Sequence, residues 1–313
     1  MSASPRRAVV FPGQGAQKPG MARDFYDAFA TVREAFAEAS DGAGVDLAEI
    51  VFGEDPSRLD LTEYTQPCLL ATEIGMLRAL QSEFGLEAEL FAGHSLGEYT
   101  ALVAAGALSL GDAAHLVRRR GALMQQAVPP GEGAMAAAIG GDLDPEEVRK
   151  TLDGLEVDIA NHNSPSQLVL SGLRGAVDAA CARLAAPGRR FVRLNVSAPF
   201  HSRFMRPVEP RFAEELSRVA IDVTFTPQVA SNFTGVFHTA DAEEVRQNLV
   251  RQITGTVRWV DNMEALAAEA DRIVEVGPAR PLSAFFREIG VAVTAIVSLK
   301  TAEKAFREPA ERS

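Results

Sequence analysis

Ala92-Gly93-His94-Ser95-Leu96-Gly97-Glu98-Tyr99-Thr100 carries a G-x-S-x-G pattern over residues 93–97. Five residues alone are a weak signal, and the flanks supply the rest. Upstream, Glu89-Leu90-Phe91-Ala92 reads as a short buried strand. Downstream, Leu96, Tyr99, Leu102 and Val103 recur at helical spacing through an alanine-rich run that stops near Gly106. Strand, sharp turn and helix form the setting of a nucleophile elbow. The glycines let neighbouring backbone pass close to the serine. At a helix N-terminus, free N–H groups and the helix dipole favour developing negative charge on its hydroxyl. The competing reading makes Ser95 only the N-cap of that helix, a common use of serine.

Working outward, Ala8–Phe11 reads as a buried strand followed by the turn Pro12-Gly13-Gln14-Gly15. That turn lacks both G-x-G-x-x-G and the Lys-Ser/Thr of a P-loop, so it is read as aiming backbone N–H groups at a pocket rather than as a nucleotide site. Helices are expected over 21–39 and 46–52, from Thr65-Gln66-Pro67 to about Phe84, and over 110–128. After the linker Pro129-Pro130-Gly131-Glu132-Gly133 the order is strand 133–140, helix 144–153, strand 156–161, strand 167–171, helix 173–186 and strand 190–197. This β-α-β-β-α-β order is the ferredoxin-like motif. It reads as a small domain inserted over 130–199, with Ser197-Ala198-Pro199 as its exit, in a large domain formed by 1–129 and 200–313. Then follow helix 203–219, a strand near Gln228–Ser231, helices 241–251 and 259–270, strand 272–275, helix 279–288 and strand 291–297. Such alternation implies an α/β fold with a parallel sheet covered on both faces. The charged residues 301–313 read as frayed.

With 313 residues, 47% of them hydrophobic, the chain can build a large core. Its formal net charge of −11 argues against nucleic-acid binding. An acidic partner would need a local basic patch, for which Arg189, Arg190, Arg193, Arg203 and Arg206 are the candidates; solvated arginines are the bland reading. Two cysteines, Cys68 and Cys181, make no disulfide framework and lack metal-ligand spacing. The N-terminal apolar run is too short for a signal peptide, and no apolar stretch reaches membrane-spanning length. A soluble, cytoplasmic protein is expected, with no metal site.

Arg120 falls on the apolar stripe of helix 110–128, three after Val117 and four before Met124, whereas Arg118 and Arg119 point elsewhere. A buried guanidinium needs an anion. The pattern leaves open whether that is a protein acid or a ligand carboxylate, which a guanidinium grips with two parallel hydrogen bonds. Ser95 needs a general base, usually histidine. His94 reads as local packing, His115 as surface, and His162 as part of a polar loop at a strand end. His201 ranks first because it stands at the domain junction, where clefts form; His238 ranks second.

Phe11-Pro12-Gly13-Gln14-Gly15, Gly93 to Tyr99, Arg120-Gly121 with Met124-Gln125, Asn161 to Gly172, Ala198-Pro199-Phe200-His201-Ser202, and Val250-Arg251-Gln252 with Trp259 occur in register from Val9 to about Leu299. Together they closely resemble the malonyl-CoA:acyl carrier protein transacylases, acyltransferases of fatty acid and polyketide synthesis. The resemblance implies an α/β-hydrolase-like large domain, a ferredoxin-like small one and an active site in the gorge between them. It implies that Ser95 attacks the thioester of malonyl-CoA with His201 as base. Backbone N–H groups of Leu96 and Gln14 would hold the oxyanion, and Arg120 the malonyl carboxylate. A main-chain carbonyl at the position of Gln252 would orient the histidine, and His94 and Asn161 would line the site. Phe200 before the histidine, and Leu96 after the serine, go with malonyl rather than methylmalonyl. No cofactor is implied; malonyl-CoA and a phosphopantetheinyl acyl carrier protein are substrates, and the chain is expected to be a monomer. The rival readings are a discrete polyketide-loading acyltransferase, an acyl-carrier hydrolase and a non-catalytic carrier-binding protein.

Overall fold

The computed structural model describes residues 5–196 and 198–307. Its first sheet is parallel, in the order β2 (Leu90–Gly93), β1 (Arg7–Phe11), β7 (Arg272–Val276) and β8 (Val293–Ile296). Alternate residues of β1 face opposite ways, and both faces are buried. Val9 and Phe11 enter a core built with helices Ala30–Ala43, Thr62–Phe84, Gly97–Ala105 and Leu110–Gln125. Ala8 and Val10 meet Trp259, Met263 and Phe286 from helices Trp259–Glu269 and Pro281–Glu288 on the other side.

The second sheet is antiparallel, in the order β4 (Val157–Ser164), β5 (Gln167–Leu173), β3 (Gly133–Ile139) and β6 (Arg190–Arg193). Reckoned within its own six elements this is strand order 2-3-1-4, that of a ferredoxin-like unit. Ala134, Ala136 and Ala138 pack under its helices Pro145–Thr151 and Arg174–Arg183. Met135 and Ala137, one step out of phase, join the core of the first sheet. Val257 pairs with β4, giving its N–H to Ala160 O and accepting that of His162. This single bridge ties β4 to the segment that leads into helix Trp259–Glu269.

Several local expectations need correcting. The helix over 21–39 is two helices, Arg23–Ala28 and Ala30–Ala43, because Phe29 is extended at φ −122°, with its ring stacked among Phe25 and Phe84. Pro67 does not precede its helix but lies inside it, after a start at Thr62, where it removes the N–H that would bond Glu63 O. The helix over 203–219 opens as a 3-10 turn, Arg203–Val208, before Glu209–Ser217. The strand near Gln228–Ser231 reduces to single bridges, Val229 to Phe91 and Ala230 to Phe237, since the 3-10 turn at Pro227 and the turn after Ser231 leave no room for a ladder. His162 is within β4, not in a loop. β6 ends at Arg193, after which the chain leaves the ladder to line the cavity described below. Residues 299–307 are helical rather than frayed, with Ala302 fully buried and Phe306 against Phe84. Ser197 of the proposed exit, and residues 308–313, lie outside the described residues. No described helix is long and apolar enough to cross a membrane.

Candidate active site

Ser95 stands two residues past the end of β2, in the turn, and adopts φ 53°, a left-handed conformation that serine rarely takes. The turn is possible because two glycines yield space. A Cβ on Gly93 would lie 1.9 Å from the Gly97 carbonyl, and one on Gly97 would lie 2.4 Å from Phe11 O. The capping alternative fails: Leu96 holds the cap position without a side-chain bond. Ser95 Oγ instead faces His201 Nε2 at 2.7 Å.

His201 Nδ1 lies 2.8 Å from Gln252 O. A carbonyl can only accept, so Nδ1 carries the proton and Nε2 presents a lone pair to the serine. Burial, and then the Arg120 charge, hold this imidazole down at about 3. It is therefore neutral, as a general base must be. His238, the second-ranked base, is excluded by geometry: it is buried with Nε2 2.8 Å from Glu98 Oε1, away from the serine hydroxyl.

Arg120 is 1% exposed. It donates to Gln66 Oε1 at 2.9 Å, Gln252 Oε1 at 2.9 Å and Ser95 Oγ at 3.0 Å. Among the described residues it forms no ion pair with a carboxylate, which removes the protein-acid alternative. A cation so deeply buried among neutral acceptors is costly by several kcal/mol unless an anion joins it.

These groups border a cavity of about 90 Å³. Gln14, His94 and Asn161 stand on its polar side; Leu96, Met124, Met135 and Phe200 form its apolar wall. It is smaller than the roughly 150 Å³ cavity that takes benzene, which suits an acyl head of few atoms. His94 both packs on Trp259, at 5.6 Å between ring centroids, and reaches Asn163 Oδ1 at 2.8 Å. Gln66, Asn232 and Glu98 were not singled out by sequence reasoning. Asn232 Oδ1 accepts the Ser95 N–H at 2.6 Å, and Glu98 lies behind it. The one available signal was position: Glu98 directly follows the G-x-S-x-G.

Three of the five candidate arginines are engaged within the chain, while Arg190 and Arg206 are exposed. Arg193 pairs with Asp178, Arg203 grips Asp158 with two nitrogens, and Arg189 donates to the carbonyls of Gly140, Leu184 and Asp142.

Residues 8–284 match the family described as "Acyl transferase domain". The chain is 39% identical over 294 residues to the malonyl CoA-acyl carrier protein transacylase of Escherichia coli K12, covering 92% of this chain and 94% of that relative. It is 38% identical over 289 residues to the protein of that name from Bacillus subtilis strain 168, covering 90% of each. Among solved structures it resembles FabD from Acinetobacter baumannii, with a TM-score of 0.90 at 39% identity over 97% of this chain and 98% of that one. It also resembles a malonyl-transacylase in complex with its type II PKS acyl-carrier protein, with a TM-score of 0.89 at 37% identity over 96% and 99%. The chain belongs to the acyl transferase domain family and stands within it among the malonyl CoA-acyl carrier protein transacylases.

Proposed function

From that membership we propose that the chain moves a malonyl group from malonyl-CoA to the phosphopantetheine thiol of an acyl carrier protein, through an ester on Ser95. The observation that carries this reading is Arg120: a buried cation that, among the described residues, no carboxylate contacts, 3.0 Å from the serine oxygen. The free carboxylate of malonyl completes it with two charge-assisted hydrogen bonds, placing the thioester carbonyl at Oγ.

His201 Nε2 takes the Oγ proton as oxygen attacks the carbonyl carbon. The oxyanion is held by the N–H groups of Leu96 and Gln14, the Ser95 N–H being engaged by Asn232. Collapse breaks the C–S bond, and the leaving CoA sulfur takes the proton back. The carrier thiol then gives its proton to His201, attacks the ester and regenerates the serine. Both ends are thioesters, so the transfer runs in either direction on the chain's own groups. Phe200, at the apolar wall, favours malonyl over methylmalonyl; one methyl is worth about 1–3 kcal/mol, so the preference is finite. The second sheet with its helices, 130–199, serves as a small domain closing the gorge, and the chain works in the cytoplasm.

Intact-protein mass after brief incubation with malonyl-CoA tests this. The expected result is a malonyl adduct on the wild type, none on Ser95→Ala, and discharge when holo carrier is added. Loss of the adduct to water at the same rate with or without carrier would establish a hydrolase instead. The similarity to a transacylase caught with a type II PKS carrier makes the polyketide carrier a specific second reading; relative discharge onto fatty-acid and polyketide carriers decides it.

A further inference from the structure

We propose that Glu98 is a positioning residue whose buried carboxylate fixes the serine and the histidine together, through Asn232 and Gln252. The inference rests on the acyl-transfer reading and deepens it. Glu98 is fully buried beneath the elbow and does not line the cavity. Its Oε2 accepts the Asn232 N–H at 3.0 Å and Gln252 Nε2 at 2.6 Å, and its Oε1 faces His238 Nε2 at 2.8 Å.

Each of the first two partners holds one half of the dyad. Asn232 accepts the Ser95 N–H at 2.6 Å and donates to Gly93 O at 2.9 Å, so it clamps both sides of the turn that keeps Ser95 at φ 53°. A residue in that conformation persists only where its surroundings over-determine it. Gln252 accepts the His201 Nδ1–H on its main-chain oxygen, while its side chain donates to Ser95 O at 3.0 Å and accepts from Arg120 at 2.9 Å. An amide has one donor end and one acceptor end. By taking the donor end, Glu98 dictates that the acceptor end faces Arg120; a flipped amide would turn its own N–H groups on the guanidinium.

In a serine triad an acid touches the histidine directly. Here a main-chain carbonyl does so, and the acid acts one residue removed. What Glu98 contributes is acceptor geometry rather than charge. A glutamine carbonyl reproduces both bonds at Oε2. The third partner adapts only at a cost: His238 Nδ1 has no partner among the described residues, so moving the proton there lets Nε2 accept from the glutamine amide but leaves one buried N–H unpaired. Glu98→Gln thus keeps the network and loses the charge. Glu98→Asp keeps the charge and, one methylene shorter, loses the reach.

The test uses the full chain and the Gln, Asp and Leu variants at position 98. The readouts are kcat and KM for malonyl transfer to holo carrier, the rate at which a fluorophosphonate probe labels Ser95, and the unfolding midpoint. Expected is a kcat loss of at most about threefold for Gln and about tenfold to a hundredfold for Asp and Leu, with KM for malonyl-CoA within about threefold throughout and labelling falling in step with kcat. An active Asp variant beside an inactive Gln variant would overturn the geometric role. So would midpoints that fall while kcat per folded enzyme stays at the wild-type value. Should the Leu variant not fold, the order of Gln over Asp decides alone. A wild type that labels with the probe but transfers no malonyl would refute the acyl-transfer reading, while the labelling order would still judge Glu98.

Discussion

Arg120 holds a charge whose hydrogen-bond partners are two amide oxygens and a hydroxyl. On the proposed reading Arg120→Ala removes the counter-ion of malonyl, and breaking a buried charge pair of this kind costs about 2–5 kcal/mol. We therefore expect kcat/KM for malonyl-CoA to fall by about thirtyfold or more. Acylation by acetyl-CoA, which has no carboxylate, should fall far less; intact-mass time courses with the two donors check this, and equal losses would remove the carboxylate role. The same variant carries a pH signature. The Arg120 charge is the second cause, after burial, of the low His201 value of about 3. Removing it moves the histidine up toward its ordinary 6.5, so the acid limb of kcat/KM for acetyl-CoA should appear at higher pH in the variant than in the wild type. An unmoved limb would separate the two groups electrically. At this scale Ser95, His201 and Arg120, which the structure brings together, each carried a local sign in the sequence: a turn motif, a domain junction, a cation on an apolar stripe; the roles of the last two came only from the family resemblance. Gln66 and Asn232 carried none. Their side-chain amide oxygens accept hydrogen bonds from partners 54 and 137 residues away, and an isolated asparagine or glutamine carries no periodicity that marks it.

The elbow joins β2 to the helix Gly97–Ala105 across the end of β1, and Gly97 is where the three meet. Alanine normally favours a helix over glycine by about 1 kcal/mol. Here its methyl would lie 2.4 Å from Phe11 O and 2.9 Å from Pro12 O, both backbone atoms with little room to move. We expect Gly97→Ala to destabilise by about 1–3 kcal/mol, the usual cost of overpacking. It should also reduce acylation beyond any loss of folded protein, since pushing on Pro12 displaces the turn that carries Gln14. Urea unfolding beside the acylation rate of the folded fraction measures both; a neutral or stabilised variant would mean the turn is compliant. Element types were mostly legible because β1 and β2 are short continuous apolar runs bounded by turn residues, as strands buried on both faces are. The errors fell where one residue overrode the pattern. Phe29 is apolar and in phase with its helix, yet its backbone is extended and its ring packs against Phe25 and Phe84. At Val229 a strand-like composition gives way to turns on either side. The charge of the last turns concealed one apolar face, on which Ala302 and Phe306 dock.

The order of elements revealed both sheets but not how they are joined, because the Val257 pairing with β4 and the shared core around Met135 link segments far apart in the chain. Nor did it reveal that the helix Thr62–Phe84 carries a buried acid toward the parallel sheet. Glu73 is fully buried, accepts the Thr100 hydroxyl at 2.7 Å, and has its other oxygen unpartnered among the described residues. Burial raises its carboxyl well above 4.5, and the Glu275 charge of β7 adds to the rise. The unfolded chain therefore releases this proton before the folded one does. The stability Glu73 contributes is complete below its unfolded value and drains away as pH rises toward the folded one. His201 has the opposite sign: its folded value of about 3 lies below 6.5, so its contribution is complete above 6.5 and lost as pH falls toward 3. The two slopes oppose each other across the same core, and one substitution separates them. Glu73→Gln keeps a carbonyl for Thr100 and cannot ionise. Unfolding free energies measured from mildly acid to mildly alkaline pH should show the variant gaining on the wild type steadily as pH rises, with the acid side, set in part by His201, unchanged. A difference that stays constant with pH would mean that Glu73 ionises in the folded chain as easily as in the unfolded one, and that some partner compensates the buried charge.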